Sequence, residues 1–271
     1  MPLEWRRGTV ASEGEDIYWE DVTTGDGDDR PVVVLSHGAG GSHAVWYLQV
    51  PVLGEHFRVV TWDSRGFGNS TNRNDAPSPD AAATDLASVL DHLGIDRAHL
   101  VGQSMGGWHI SAFALANPAR VRSLTYADTV GGLWTDDLRA ALAEFQSQGG
   151  LTSGGDVLGG HRALWSGTAE RDPAHAFLYQ ALGSFHSPPM DRLGETIAWS
   201  VEHERIADLG VPVLFVAGSH DQIFPAAALA DSAALLPGAR YVEIPAAGHS
   251  PYFEQPAAWN DAVGSFLRSV D

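Results

Sequence analysis

Ser104, Asp221 and His249 follow one another along the chain, each in a segment suited to one part of acyl transfer. Ser104 stands within Gly102-Gln103-Ser104-Met105-Gly106, directly after the apolar run Ala98-His99-Leu100-Val101 and before a helix-like segment. A serine in such a strand-to-helix turn is held out at the tip of a strand, and the flanking glycines let helix and strand approach closely. A hydroxyl is a poor nucleophile until a base takes its proton, and an imidazole in that role needs a carboxylate to fix its tautomer and stabilise the imidazolium. Val211-Pro212-Val213-Leu214-Phe215-Val216-Ala217-Gly218 reads as a buried strand that delivers Asp221 on the loop beyond it. Arg240-Tyr241-Val242-Glu243-Ile244-Pro245 reads as another, and the loop Ala246-Ala247-Gly248-His249-Ser250-Pro251 carries His249. Nucleophile, acid and base are therefore expected at Ser104, Asp221 and His249.

A tetrahedral oxyanion needs two backbone N–H donors, one just after the nucleophile and one from an earlier loop that follows a strand. Met105 supplies the first. The run Pro31-Val32-Val33-Val34-Leu35-Ser36 breaks into His37-Gly38-Ala39-Gly40-Gly41, which makes Ala39 the first choice for the second donor and Gly40 the next.

The chain resembles α/β-hydrolase-fold enzymes over essentially its whole length, through His37-Gly38-Ala39-Gly40-Gly41, Asp63-Ser64-Arg65-Gly66-Phe67-Gly68-Asn69-Ser70, Gly102-Gln103-Ser104-Met105-Gly106-Gly107, Gly218-Ser219-His220-Asp221 and Gly248-His249-Ser250-Pro251. The resemblance implies an α/β fold: a mostly parallel eight-stranded sheet flanked by helices, with the reactive residues at the carboxyl ends of strands and a small helical cap inserted after the sixth. Some members of the family take the acid from the end of the sixth strand, which makes Asp128 the competitor of Asp221. Within that superfamily the chain is most similar to small bacterial esterases, enol-lactonases and C–C bond hydrolases. A serine at position 104 separates it from the haloalkane dehalogenase and epoxide hydrolase branches, which use an aspartate there. The C–C hydrolases commonly place Asn before the serine and Trp after the histidine, where this chain has Gln103 and Ser250.

The elements that must position these residues follow from the alternation of apolar runs and helical patterns. Asp16–Val22, Val32–Ser36, Arg58–Trp62 and Val121–Ala127 read as strands, and Pro79–Leu93 as a helix with Leu86, Val89, Leu90 and Leu93 on one face, stopped by Gly94. Such alternation predicts a parallel sheet with helices on both faces. From Gly131 to about Val201 glycine pairs interrupt helical pieces and no strand pattern appears, so the expected division is a core over 1–130 and 201–271 with a helical cap over 131–200. The cap carries Trp134, Phe145, Trp165, Phe177, Tyr179, Phe185 and Trp199, of which Trp134 and Trp165 are the first candidates for a substrate-binding wall.

A chain of 271 residues with 44% hydrophobic residues can bury a substantial core, and its charge of −18 disfavours nucleic acid and anionic membranes as partners. The first residues lack the apolar stretch of a secretory signal and no run approaches a membrane span, so a cytoplasmic protein is expected. Cysteine is absent, which removes disulfides and thiolate sites. The histidines lack the close spacing of a zinc site, so no metal is expected, and the serine chemistry implies no cofactor. His37 reads as a hydrogen-bonded structural residue, Asp63 and Arg65 as pins of the loop after Trp62 by local pairing, and His220 as a rim residue. The reading as a whole is a serine hydrolase of a small to medium carboxylic ester or lactone. C–C bond hydrolysis of a vinylogous diketone and a slowly turning over small-molecule receptor are the alternatives.

Overall fold

The computed structural model describes residues 3–25, 28–74, 77–150, 163–183 and 193–271. Strands β1 (Glu4–Ser12), β2 (Glu15–Thr23), β3 (Val32–Ser36), β4 (Arg58–Trp62), β5 (Ala98–Gln103), β6 (Val121–Ala127), β7 (Val213–Gly218) and β8 (Arg240–Ile244) form one sheet in the order β1-β2-β4-β3-β5-β6-β7-β8. From β4 through β8 every neighbouring pair is parallel, while β1 and β2 add an antiparallel edge. The helices are α1 (Val50–Leu53), α2 (Pro79–His92), α3 (Met105–Ala116), α4 (Asp136–Ser147), α5 (Ser166–Arg171), α6 (Pro173–Leu182), α7 (Gly194–Ala198), α8 (His203–Ala207), α9 (Ala226–Ala234), α10 (Pro251–Glu254) and α11 (Pro256–Ser269).

The continuous valine and leucine runs suit strands buried on both faces. In β3, Val32 and Val34 face the layer of α2 and α3, among Leu86, Val89, Leu90, Ile110 and Phe113. Val33 and Leu35 face the opposite layer, among Leu53, Trp259, Val263, Phe266 and Leu267. The period of two along the strand thus splits one apolar run between two cores. Each of these side chains, fully buried, contributes about 1.5–3 kcal/mol relative to exposure.

Helix α2 starts where Ser78 accepts the Ala81 N–H at 3.1 Å, with Pro79 and Asp80 in the first turn, and it ends before Gly94. The expected strands are present, with β2 one residue longer at each end than expected and β7 beginning at Val213 rather than Val211. Strand β1 had no counterpart in the sequence reading. Most of its residues are exposed, so it lacks the apolar alternation that marks a half-buried strand. Its pairing with β2 is set by a two-residue hairpin at Glu13 and Gly14, both at positive φ (45° and 86°). Helices α4 to α8 lie between β6 and β7, and no strand occurs among the described residues of that stretch.

Candidate active site

Ser104 sits between the end of β5 and the first residue of α3 with φ 48° and ψ −120°, a conformation that L residues rarely adopt. The turn is held from several sides. Ser104 N–H donates to Ala127 O at 3.0 Å, and Ser104 O accepts from Gly107 N–H at 2.8 Å and Thr129 Oγ1 at 2.6 Å. A Cβ at Gly102 would strike the backbone of Gly106, and one at Gly106 would strike the carbonyls of Ser36 and His37, so neither position accepts a side chain without moving the helix off the strand. Met105, as the first residue of α3, has an N–H with no acceptor inside the helix, and the positive end of the helix lies at Ser104. Ala39, on the loop after β3, borders the same cavity as Ser104 and Met105.

Asp221 and His249 are brought together by the ends of β7 and β8. His249 Nδ1 lies 2.8 Å from Asp221 Oδ2, and both residues are buried. Asp221 Oδ1 accepts the N–H groups of Ile223 (2.7 Å) and Phe224 (3.1 Å). With Nδ1–H donating to the carboxylate, Nε2 is left as the acceptor. The histidine loop is tied down on every side. His249 N–H donates to Ala163 O (2.9 Å), Gln103 Nε2 donates to His249 O (2.8 Å), and Tyr179 and Ser250 share a hydroxyl hydrogen bond of 2.8 Å. Glu254 accepts three more: Gly248 N–H at 2.6 Å on one oxygen, and Trp165 N–H (2.7 Å) and Thr168 Oγ1 (2.6 Å) on the other. Burial pushes the Glu254 carboxyl up to about 7, against the opposing pull of those donors.

Asp128 lies beside this pair. Its Oδ1 accepts the Gly218 N–H at 2.7 Å, and its carboxyl is raised well above the usual range by burial and by the neighbouring Asp221. Asp128, Asp221 and His249 each offer an atom within 4.8 Å of the others, the one such grouping among the described residues. Two ligands of a tetrahedral zinc at about 2.0–2.2 Å stand roughly 3.3–3.5 Å apart, so the 2.8 Å between His249 and Asp221 is a hydrogen-bond distance rather than a ligand–ligand one.

Ser104, His249, Gln103, Met105 and Ala39 line a cavity of about 420 Å³ whose described wall is mostly apolar, with Trp108, Leu142, Phe145, Tyr179, Ile223 and Phe224 on it. Of the aromatics expected to form this wall, Phe145 and Tyr179 do so. Trp134 and Trp165 stand elsewhere. Trp134 packs against the wall residues Trp108 and Phe224, at ring separations of 5.9 and 6.1 Å, and does not itself border the cavity. Trp165 packs at a tilt against the exposed His220, with ring centroids 4.9 Å apart, and its own backbone is anchored to Glu254. Phe177 is exposed, Trp199 packs beside Gly132, and Phe185 lies outside the described residues.

Among the other residues singled out in the sequence, His37 is buried and neutral, its Nδ1–H donating to Gly38 O at 2.8 Å and its Nε2 accepting from Ser64 N–H at 3.1 Å. Asp63 binds the N–H groups of His43 and Asn69, while Arg65 reaches away to Asp85 on α2 at 2.7 Å, so the two pin the loop through separate partners. Among the described residues no helix is long and apolar enough to cross a membrane.

Residues 31–256 match the family described as the alpha/beta hydrolase fold. The chain belongs to that family. This α/β-hydrolase is 27% identical to 3-oxoadipate enol-lactonase 1 of Acinetobacter baylyi, covering 90% of this chain and 91% of that protein. It is 31% identical to a Caulobacter protein named as a carbamate hydrolase, covering 93% and 96%. A solved thermophilic esterase from Thermogutta terrifontis superposes with a TM-score of 0.79 at 26% identity, covering 98% and 99%.

Three features of this α/β-hydrolase site escaped the sequence reading. Trp108 follows Ser104 by four residues, one helical turn on, and lines the same cavity. Ile223 and Phe224 are carried to the cavity by the same turn that binds Asp221. Glu254 gave no local signal beyond its place five residues after His249.

Proposed function

We propose that the chain is a serine hydrolase of small to medium carboxylic esters or lactones, working through an acyl-enzyme on Ser104. The observation that carries the reading is the Asp221–His249 hydrogen bond standing at the cavity into which the strained Ser104 turn opens. Ser104 Oγ attacks the carbonyl carbon as His249 Nε2 takes its proton, and Asp221 stabilises the imidazolium that results. The N–H groups of Met105 and Ala39 hold the oxyanion. His249 then gives the proton to the leaving alkoxide, and a water activated by the same nitrogen releases the acid from Ser104.

The cavity supports this substrate class. A volume of about 420 Å³ with an apolar described wall suits an uncharged acyl or lactone chain, and none of its described lining residues is a lysine or arginine. Segment 131–200 supplies Leu142, Phe145 and Tyr179 to that wall, which supports its reading as a cap between the two parts of the core. The lactonase and the esterase among the similar proteins support the ester or lactone bond. The test is a panel of p-nitrophenyl esters from acetate to octanoate, a γ-lactone and an aryl carbamate, each with the parent and with Ser104→Ala. Turnover of esters or lactone that Ser104→Ala loses is expected. Carbamate turnover without ester turnover, or equal rates in the variant, overturns the reading.

A further inference from the structure

Asp128 is fully enclosed at the end of β6, in the left-handed region at φ 48°. One of its oxygens takes the Gly218 N–H, and the other, Oδ2, has no hydrogen-bonding partner of the ordinary donor–acceptor kind. No lysine or arginine pairs with it among the described residues. The charged and titratable groups that face it are Asp221, His249 and Glu254, with the hydroxyls of Tyr179, Tyr241 and Tyr252 nearby. A bare buried carboxylate next to a second one is costly, and two carboxyls that share a site relieve the cost by holding one proton between them. Which of the two keeps it follows from the donors. Asp221 accepts three hydrogen bonds, from Ile223, Phe224 and His249, and Asp128 accepts one. Donors stabilise the anion, so Asp221 is the carboxylate and Asp128 the acid.

We propose that Asp128 is a positioning residue that carries this proton and donates it from Oδ2 to Asp221, holding the triad carboxylate in place for His249. This rests on the assignment of Asp221 and His249 made above. Burial and the Asp221 charge raise the Asp128 carboxyl in the fold, whereas in the unfolded chain it ionises near 3.8. The folded state therefore binds a proton that the unfolded state has lost at neutral pH, and stability falls as pH rises above that value.

The test compares Asp128→Ala with Asp128→Asn, whose amide oxygen replaces Oδ1 towards Gly218 and whose NH₂ replaces the acid hydrogen towards Asp221. Asp128→Ala is expected to lower kcat by on the order of tenfold or more with little change in KM, and Asp128→Asn to restore most of that loss. The acid limb of the kcat/KM profile stays in place in Asp128→Asn, since no charge has been removed. Its melting temperature exceeds the parent's at pH 7, and the gain shrinks as pH falls towards 4. The proposal is overturned if asparagine loses as much activity as alanine, if the acid limb moves down by half a pH unit or more, or if the pH 7 melting temperature does not rise. The melting comparison needs no activity, so it separates failure of this proposal from failure of the triad assignment. It also stands if Asp128→Ala does not fold.

Discussion

Replacing Glu254 by glutamine tests how the histidine loop is held, because stability and catalysis respond to it differently. In the parent, the carboxyl moves from its ordinary 4.5 to about 7 on folding. The folded state keeps the proton through that window while the unfolded state loses it. Stability therefore declines as pH rises from 4.5 to about 7 and is level above. The interval corresponds to about 3 kcal/mol. Glutamine has no proton to lose and shows no such decline. Against this, its single acceptor oxygen serves Trp165 and Thr168, and its NH₂ faces the Gly248 N–H that the second carboxylate oxygen accepted at 2.6 Å. A buried N–H left without an acceptor costs about 1–3 kcal/mol. At pH 8 the two effects nearly cancel, and at pH 5 the variant is the less stable protein. Catalysis has no such compensation. Gly248 adjoins His249, and misplacing a catalytic group by about 1 Å costs roughly 10²-fold, so kcat for p-nitrophenyl butyrate at pH 8 is expected to fall by about 10- to 100-fold. Urea denaturation at pH 5 and pH 8, with kcat at pH 8, measures all three quantities. Stability differences that are the same at both pH values, or an unchanged kcat, would show that Glu254 neither carries a folding-linked proton nor holds the histidine loop.

Asp221→Asn is expected to reduce kcat by about 10³- to 10⁴-fold, since an amide at Oδ2 no longer selects the Nδ1–H tautomer of His249, and a loss below tenfold in steady-state assays counts against its role. Phe145→Ala opens the cavity wall and is expected to raise kcat/KM for octanoate relative to butyrate esters by about tenfold, within the 1–3 kcal/mol that an apolar pocket contributes to discrimination. Trp134→Ala, at a residue that packs against that wall without bordering the cavity, is expected to change the ratio less; the reverse order places Trp134 at the substrate.

The parts of the fold that were legible in the sequence are those fixed by local chemistry. Gly102 and Gly106 are demanded by the contact of one strand with the helix that follows it, and the valine runs of β3 and β7 by burial on both faces. Strand β1 carries no such mark, because its hydrogen bonds to β2 hold it and its side chains face solvent. The cavity wall was less legible for a related reason. Aromatic content singled out Trp134 and Trp165, but which ring faces Ser104 depends on how the segment after β6 lies over β5 and β7. Trp108 reaches the cavity from α3 and Phe224 from the turn after Asp221, and Glu254 binds residues 86 and 89 positions away from it. Such contacts follow from tertiary packing and leave no spacing to read.

In the proposed reaction Ser104 forms a covalent bond to the acyl carbon. Treatment with an alkyl fluorophosphonate, followed by intact-mass measurement and peptide mapping, tests it most directly. One phosphonyl group per chain on the peptide that contains Ser104 is predicted, together with loss of ester turnover and no labelling of Ser104→Ala. Labelling at another residue, or full ester turnover by the fully labelled protein, would mean that Ser104 is not the nucleophile.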